Sequence, residues 1–130
     1  LEVAYRLYGS DMDDETTPLE AGLAWVVKLD KGDFLGKAAL LEQKQKGLPR
    51  KLVGFALTDP GIARHGHDVL AGGKKVGTVT SGTRSPTLKI SIGLAYVPPA
   101  LAAEGSTLAV DIRGRAAAAK VVKTPFYTRT

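Results

Sequence analysis

Cysteine is absent from the 130 residues, and aromatic residues make up only 6% of them. Without cysteine the chain has no disulfide framework and no thiolate metal site, so a reducing cytoplasm is permitted. No stretch resembles a signal peptide, and no run of 18 apolar residues could cross a membrane. We therefore expect a cytoplasmic protein with no membrane partner.

Carboxylates are fewer than cations, 13 against 18, which gives a formal net charge of +5. Such an excess raises the possibility of nucleic acid as a partner. The cations are scattered, however, and aromatic side chains do not interleave with them as on a base-stacking surface. We expect a solvated basic face and no nucleic-acid partner, with a non-catalytic basic β-barrel that binds nucleic acid as the alternative. The main cation clusters are Lys44, Lys46, Arg50 and Lys51, then Lys74 and Lys75, then Arg113 and Arg115.

Turn signals recur at short intervals after residue 50 and separate short apolar runs. This spacing predicts a mainly β domain, a small antiparallel six-stranded barrel of the Greek-key or jelly-roll-like kind. The predicted strands are Lys51–Thr58, Asp68–Leu70, Lys74–Ser81, Leu88–Val97, Thr107–Ile112 and Arg115–Thr124.

The residues before the predicted barrel have a different pattern. Leu1–Arg6 has helical composition, Leu23–Leu29 is typical of a buried strand, and Asp33–Lys46 has the spacing of an amphipathic helix. Gly47 and the proline two residues later end that helix, so we predict a short α+β segment over 1–47 and the barrel over 48–130.

The predicted third and fourth strands form a hairpin from Lys74 to Tyr96, each with the period of two of a half-buried strand. Between them Thr80–Leu88 has turn chemistry throughout, since Gly82 tolerates positive φ and Pro86 fixes its own φ. We expect this connection to be an ordered polar loop that presents the cation of Arg84 as a binding group.

No self-contained catalytic set is evident. The carboxylates of residues 11–15 lack the glycine and the spacing of a calcium loop, which favours a solvated acidic turn. His65 and His67 lack supporting ligands, so a polar loop is favoured over a metal site. Thr17, Pro18 and Glu20 suit a capping or chain-reversing element. We predict no metal.

Several motifs resemble the C-terminal part of aminomethyltransferase, the T-protein of the glycine cleavage system. Gly77–Leu88 reads Gly-Thr-Val-Thr-Ser-Gly-Thr-Arg-Ser-Pro-Thr-Leu, and Ile92–Val97 follows it with Ile-Gly-Leu-Ala-Tyr-Val. The stretches Leu7–Asp13, Thr16–Leu23, Val26–Lys37 and Val121–Tyr127 keep the family's order and spacing, so the resemblance covers nearly the whole chain.

This resemblance implies an enzyme of glycine catabolism as the full-length protein, which transfers a one-carbon unit from the aminomethyl-lipoyl arm of H-protein to tetrahydrofolate and releases ammonia. Tetrahydrofolate is then the acceptor substrate, and the full-length protein is expected to be monomeric. The family's catalytic aspartate lies upstream of Leu1, so no residue here is predicted to be catalytic and the chain alone is expected to be inactive.

The resemblance also suggests which residues contact folate. Tyr5 matches an aromatic wall of the folate site, and Tyr127 and Arg129 belong to the terminal segment that closes over it. Arg129 could pair with a carboxylate of the glutamate tail. We add the loop cation Arg84 to this folate-binding set. The competing interpretations are that Tyr5 packs on its own core and that the terminus is frayed.

The folate-linked domains of dimethylglycine and sarcosine dehydrogenases share the implied architecture and are the nearest alternative. We also expect residues from Leu1 to about Lys46 to belong to the end of the larger folate-binding portion, which makes this chain a fragment of a longer protein.

Overall fold

A computed structural model describes residues 1, 4–6, 9–13, 16–23, 42, 43, 45, 47 and 50–126. Of the predicted strand Leu23–Leu29, Leu23 alone is described, and it is not in a strand; the rest lies outside the described residues. Of the predicted helix, Glu42, Gln43 and Gln45 are described, and all three are helical. The division of the chain between residues 47 and 48 stays a prediction.

Six strands form a closed antiparallel barrel in the order β1-β4-β3-β2-β5-β6, which confirms the predicted mainly β fold. Strands β2, β3 and β4 follow one another as hairpins, and β1 lies beside β4, so the connections are those of a Greek key. A 3₁₀ turn, Pro99–Leu101, lies between β4 and β5. The strands are β1 Lys51–Leu57, β2 Asp68–Ala71, β3 Lys74–Arg84, β4 Ser91–Val97, β5 Thr107–Ile112 and β6 Arg115–Val122.

Alternate residues of every strand fill the barrel interior, because successive side chains of a strand point to opposite faces. Strand β6 shows this clearly, since Ala117, Ala119 and Val121 are buried and the residues between them are not. The helix propensity of the alanine run is overridden by this pairing with β5 and β1. The interior cluster includes Val53, Phe55, Leu57, Val69, Val79, Ala95, Val97, Leu108, Val110, Ala117, Ala119 and Val121.

Strand β4 departs from the predicted half-buried pattern, because all seven of its residues are buried. Ala95 and Val97 point into the barrel, while Leu94 and Tyr96 form a second cluster with Ala4 and Leu52 on the outside. Ile90, which is part of the predicted strand Leu88–Val97, lies before β4 and is 44% exposed. Residues near the start of the chain, Ala4 among them, therefore cover a face that the alternation alone assigns to solvent.

The predicted loop over Thr80–Leu88 is shorter than expected, because β3 continues to Arg84 and pairs with β4 as far as Ser91. A register shift between Val79 and Ser81 places a bulge at Thr80. Gly82 lies inside the strand, where a Cβ would collide with the carbonyl of Ala63. The glycine serves this close approach and not a left-handed turn.

The expected helix at Leu1–Arg6 is wrong for its described residues. Ala4 has φ of 57°, and its N–H donates to the Leu1 carbonyl at 2.7 Å in a tight turn. Burial of the Ala4 side chain against the outer cluster compensates for this left-handed conformation, which non-glycine residues rarely adopt.

Candidate functional site

A cleft of roughly 640 Å³ lies on the outside of the barrel, between the N-terminal segment and the chain that follows β6. We use the name N-terminal segment for the described residues between 1 and 23. Phe126 packs over Gly54 of β1 and joins the outer cluster, which sets the position of this chain end. Within the described part of the chain, the cleft is lined by Ala4, Tyr5, Arg6, Met12, Leu23, Thr124 and Pro125.

Tyr5 is the aromatic side chain of this lining and is 81% exposed. The competing interpretation, that Tyr5 packs on its own core, is therefore wrong. The tight turn at Ala4 buries the alanine and leaves the next side chain outside. An exposed ring beside apolar walls offers a surface on which a planar ligand could stack.

Arg6 is the charged residue of the same lining. Its Nε donates to the Ala21 carbonyl at 2.8 Å, and its Nη1 donates to the Ala4 carbonyl at 3.0 Å. Both acceptors belong to the backbone, so the guanidinium is held in one orientation while it keeps its charge.

Asp11 fastens the N-terminal segment to the barrel behind this cleft. It is 2% exposed, and its Oδ1 accepts hydrogen bonds from Thr80 Oγ1 and Ser81 Oγ, each at 2.6 Å. The Tyr96 hydroxyl donates to the Asp11 carbonyl at 2.6 Å. The predicted solvated acidic turn is thus wrong for Asp11, because the bulge at Thr80 turns two hydroxyl donors towards it.

Glu20 forms a second polar connection. Its Oε2 lies 2.6 Å from Arg50 Nε, and its Oε1 accepts from the Thr17 N–H at 3.1 Å. Thr17 Oγ1 in turn accepts from the Glu20 N–H at 3.1 Å, which is a reciprocal capping box and confirms the predicted capping element. Arg50 also lies over the Tyr96 ring, 4.6 Å from its centroid, instead of in the expected basic face.

Burial raises the pKa of the Tyr96 phenol above its ordinary value of 10.0. A hydrogen bond with the Thr16 side chain and the charge of Arg50 act in the opposite direction, while Glu20 and Asp11 add to the rise. Tyr96 therefore remains a neutral hydroxyl that can donate to Asp11 throughout the physiological range.

Of the other predicted folate-binding residues, Arg84 is described, and the structure does not bring it to the cleft. Arg84 lies at the exposed end of β3 opposite Ser91, and it is not part of the described lining. Tyr127 and Arg129 lie outside the described residues.

The two histidines lie in the polar loop before β2, as predicted. His65 Nδ1 lies 2.8 Å from the Thr80 carbonyl, and His67 Nδ1 accepts from the Arg64 N–H at 3.1 Å. Across the described ranges no three His, Cys, Asp or Glu side chains are grouped so as to hold a metal ion. Nor does any helix among the described residues have the length and apolarity needed to cross a membrane.

Sequence reasoning missed Asp11, Arg6 and the pair of Glu20 with Arg50. The partners of Asp11 are 69 and 70 residues away, and Arg50 is 30 residues from Glu20, so no local pattern links them. A usable signal exists only for Arg6, which adjoins the aromatic residue already assigned to the site.

Comparison with known proteins gives a consistent result. Residues 50–128 match the family described as the glycine cleavage T-protein C-terminal barrel domain. The chain is 58% identical over 98% of its length to an aminomethyltransferase of Nostoc sp., of which it covers 34%. It is 52% identical over 97% of its length to an aminomethyltransferase of Halothermothrix orenii, of which it covers 35%.

Among solved structures, the crystal structure of glycine cleavage system aminomethyltransferase T from Bartonella henselae superimposes with a TM-score of 0.91 and 34% sequence identity. This match covers 97% of the chain and 36% of that protein. The chain thus spans about a third of the length of the relatives it matches. On this evidence the chain belongs to the glycine cleavage T-protein family and contains its C-terminal barrel domain.

Proposed function

We propose that the chain is the C-terminal third of an aminomethyltransferase of the glycine cleavage system. The full-length enzyme transfers the one-carbon unit of an aminomethyl group carried by the lipoyl arm of H-protein to tetrahydrofolate. The nitrogen of that group leaves as ammonia, and methylenetetrahydrofolate is formed. Residues 1–47 are the end of the folate-binding portion, and residues 48–130 are the barrel domain.

The cleft beside Tyr5 is the observation that carries this proposal. Its volume of roughly 640 Å³ falls within the range of sites for small molecules. Its walls are mainly apolar and carry one exposed aromatic ring, which suits the pterin or aminobenzoyl ring of tetrahydrofolate. In this proposal the chain binds and orients folate and contributes no catalytic residue.

Tyr127 and Arg129 remain part of the proposal through their position after Phe126. They would close the open side of the cleft, with Arg129 as a partner for a folate carboxylate. Arg84 has weaker support because it lies away from the described lining. Its exposed position suits a contact with H-protein at least as well as one with folate.

Calorimetric titration with tetrahydrofolate tests the proposal. We would titrate this chain and the same chain extended upstream side by side, each as wild type and as Tyr5→Ala. We expect binding by the extended wild type, with affinity lowered about twofold to tenfold by Tyr5→Ala, because one ring–ring contact is worth about 0.5–1.5 kcal/mol beyond its burial.

The outcomes separate three situations. Binding by the extended chain alone means that upstream residues complete the cleft, whereas tight binding by the present chain means that it holds a site of its own. Failure of both to bind tetrahydrofolate would overturn the folate proposal. H-protein-dependent transfer by the present chain alone would contradict the proposed absence of catalytic residues.

A further inference from the structure

The guanidinium of Arg6 lies against the backbone of the N-terminal segment with all three of its nitrogens. Two of its nitrogens donate to the carbonyls of Ala21 and Ala4. The third, Nη2, lies against Gly22, where a Cβ would come within 2.8 Å of it. Gly22 also has φ of 73°, so a glycine is needed both for the turn and for the approach of the cation.

The charge of Arg6 is not neutralised within the described part of the chain. The ion pairs there join Arg50 with Glu20 and Lys75 with Asp68, and Arg6 belongs to neither. Its hydrogen bonds go to neutral carbonyls, while its neighbours in the cleft include Ala4, Met12 and Leu23. A half-buried cation among apolar groups loses part of its hydration, so an anion at this position gains more than it would in water.

We propose that Arg6 binds a carboxylate of the ligand that occupies the cleft, and that it is thereby a specificity-determining residue for folates with a free glutamate tail. The identification of the ligand rests on the proposed function. The planar guanidinium fork matches a carboxylate, and its two backbone contacts fix the fork before the ligand arrives. Less side-chain entropy is then lost on binding than for a freely rotating arginine.

The arrangement separates two recognition tasks within one cleft. The exposed ring of Tyr5 offers a stacking surface, and the neighbouring Arg6 offers a positive charge. A ligand that satisfies both has an aromatic ring with a carboxylate a few bonds away. The glutamate of tetrahydrofolate supplies such a carboxylate next to the aminobenzoyl ring.

The test compares the affinities of two protein variants for two ligands. The extended chain is prepared as wild type and as Arg6→Gln, and each is titrated with tetrahydrofolate and with its neutral bis-amide, in which both glutamate carboxyls are amides. We expect Arg6→Gln to weaken binding of tetrahydrofolate about tenfold to a hundredfold, the range for a hydrogen bond with two charged partners. Binding of the bis-amide should change less than about threefold.

Two further variants keep the test decisive. Arg64→Gln removes the same charge from an exposed arginine that donates to the Gly82 carbonyl and does not line the cleft, so it should leave both affinities unchanged. Arg6→Lys keeps a charge without the fork, and we expect an intermediate loss. If Arg6→Gln does not fold, Arg6→Lys and the two wild-type titrations still measure the preference for the carboxylates.

The possible results differ in what they reject. If the wild type binds tetrahydrofolate and its bis-amide equally well, or Arg6→Gln weakens both to the same extent, the role of Arg6 is rejected and the folate cleft stands. If the wild type binds neither ligand, the proposed function fails, and the assignment of Arg6 to folate fails with it.

Discussion

The barrel and the N-terminal segment are held in place by different chemistry. The barrel closes around a continuous apolar interior, in which Phe55, Val79 and Val110 are almost completely buried. The N-terminal segment contributes little to that interior. It packs on the outside of the barrel through a small apolar cluster around Ala4. The hydrogen bonds of Asp11 and the ion pair of Glu20 with Arg50 add polar contacts.

This difference matters because the cleft lies where the two regions meet. One side is formed by residues of the N-terminal segment and the other by Thr124 and Pro125 after β6. We therefore expect the barrel to remain folded when the cleft loses its shape, which would make stability and ligand binding separable properties. Apolar burial is not directional, whereas hydrogen bonds to a carboxylate fix one position and orientation.

Truncation of the barrel interior should have the largest effect. Phe55→Ala removes a ring that is 1% exposed and that packs against Gly93, where no side chain can fill the space. We expect the free energy of unfolding to fall by about 3–5 kcal/mol in urea titrations of the extended chain.

Phe126→Ala is the matched control for that substitution. It removes the same ring from a half-buried position on the outer face of β1, and its cost should be clearly smaller. Equal losses for the two variants would mean that the barrel interior does not dominate stability.

Removal of the Asp11 carboxylate should act on the attachment of the N-terminal segment and not on the barrel. Asp11→Ala removes the carboxylate acceptor of Ser81 Oγ, while Thr80 Oγ1 keeps a contact of 3.2 Å to the Leu94 carbonyl. We expect a loss of about 1–3 kcal/mol, the cost of leaving a buried polar group without its partner.

Hydrogen exchange locates this loss. The amides of Gly9 and Leu52, which donate to the Met12 and Glu20 carbonyls, should exchange faster, while amides at the centre of β5 and β6 keep their protection. Glu104→Ala, at an exposed carboxylate, should change neither group. Uniformly faster exchange across all six strands would show that segment and barrel unfold as one unit.

The same contrast explains what the sequence could predict. The six strands were identified because a period of two and closely spaced turn residues are local signals. Local signals could not identify the burial of both faces of β4, because that burial depends on a segment far earlier in the chain. An alternating pattern specifies two faces, and what covers each face is decided by tertiary structure.

The candidate site divides in a similar way. Tyr5 was identified through family resemblance, and the structure places it in a cleft. The acidic residues around Asp11 in the sequence predict a solvated side chain. Asp11 is buried instead, because a bulge in β3 brings two hydroxyl donors to it. The orientation of Arg6 is fixed by its hydrogen bond to the Ala21 carbonyl, 15 residues away, beside the turn at Gly22. Neither contact leaves a recognisable spacing in the sequence.

The smallest expected effect comes from the Tyr96 hydroxyl, which donates a hydrogen bond to the Asp11 carbonyl and also has a hydrogen bond with the Thr16 side chain. Tyr96→Phe removes these contacts and keeps the ring beneath Arg50, so we expect a loss of about 1 kcal/mol in unfolding free energy near neutral pH.

The pH dependence of stability supplies a second measurement for the same variant. Because burial raises the folded-state pKa of Tyr96 above 10.0, the folded protein holds this proton more tightly than the unfolded chain does. The resulting contribution to stability is complete below pH 10 and is lost as the pH rises through the folded-state pKa. Unfolding titrations across this alkaline range should therefore show a smaller decline for Tyr96→Phe than for the wild type. An identical decline in both would mean that the ionisation of Tyr96 does not contribute to the alkaline loss of stability.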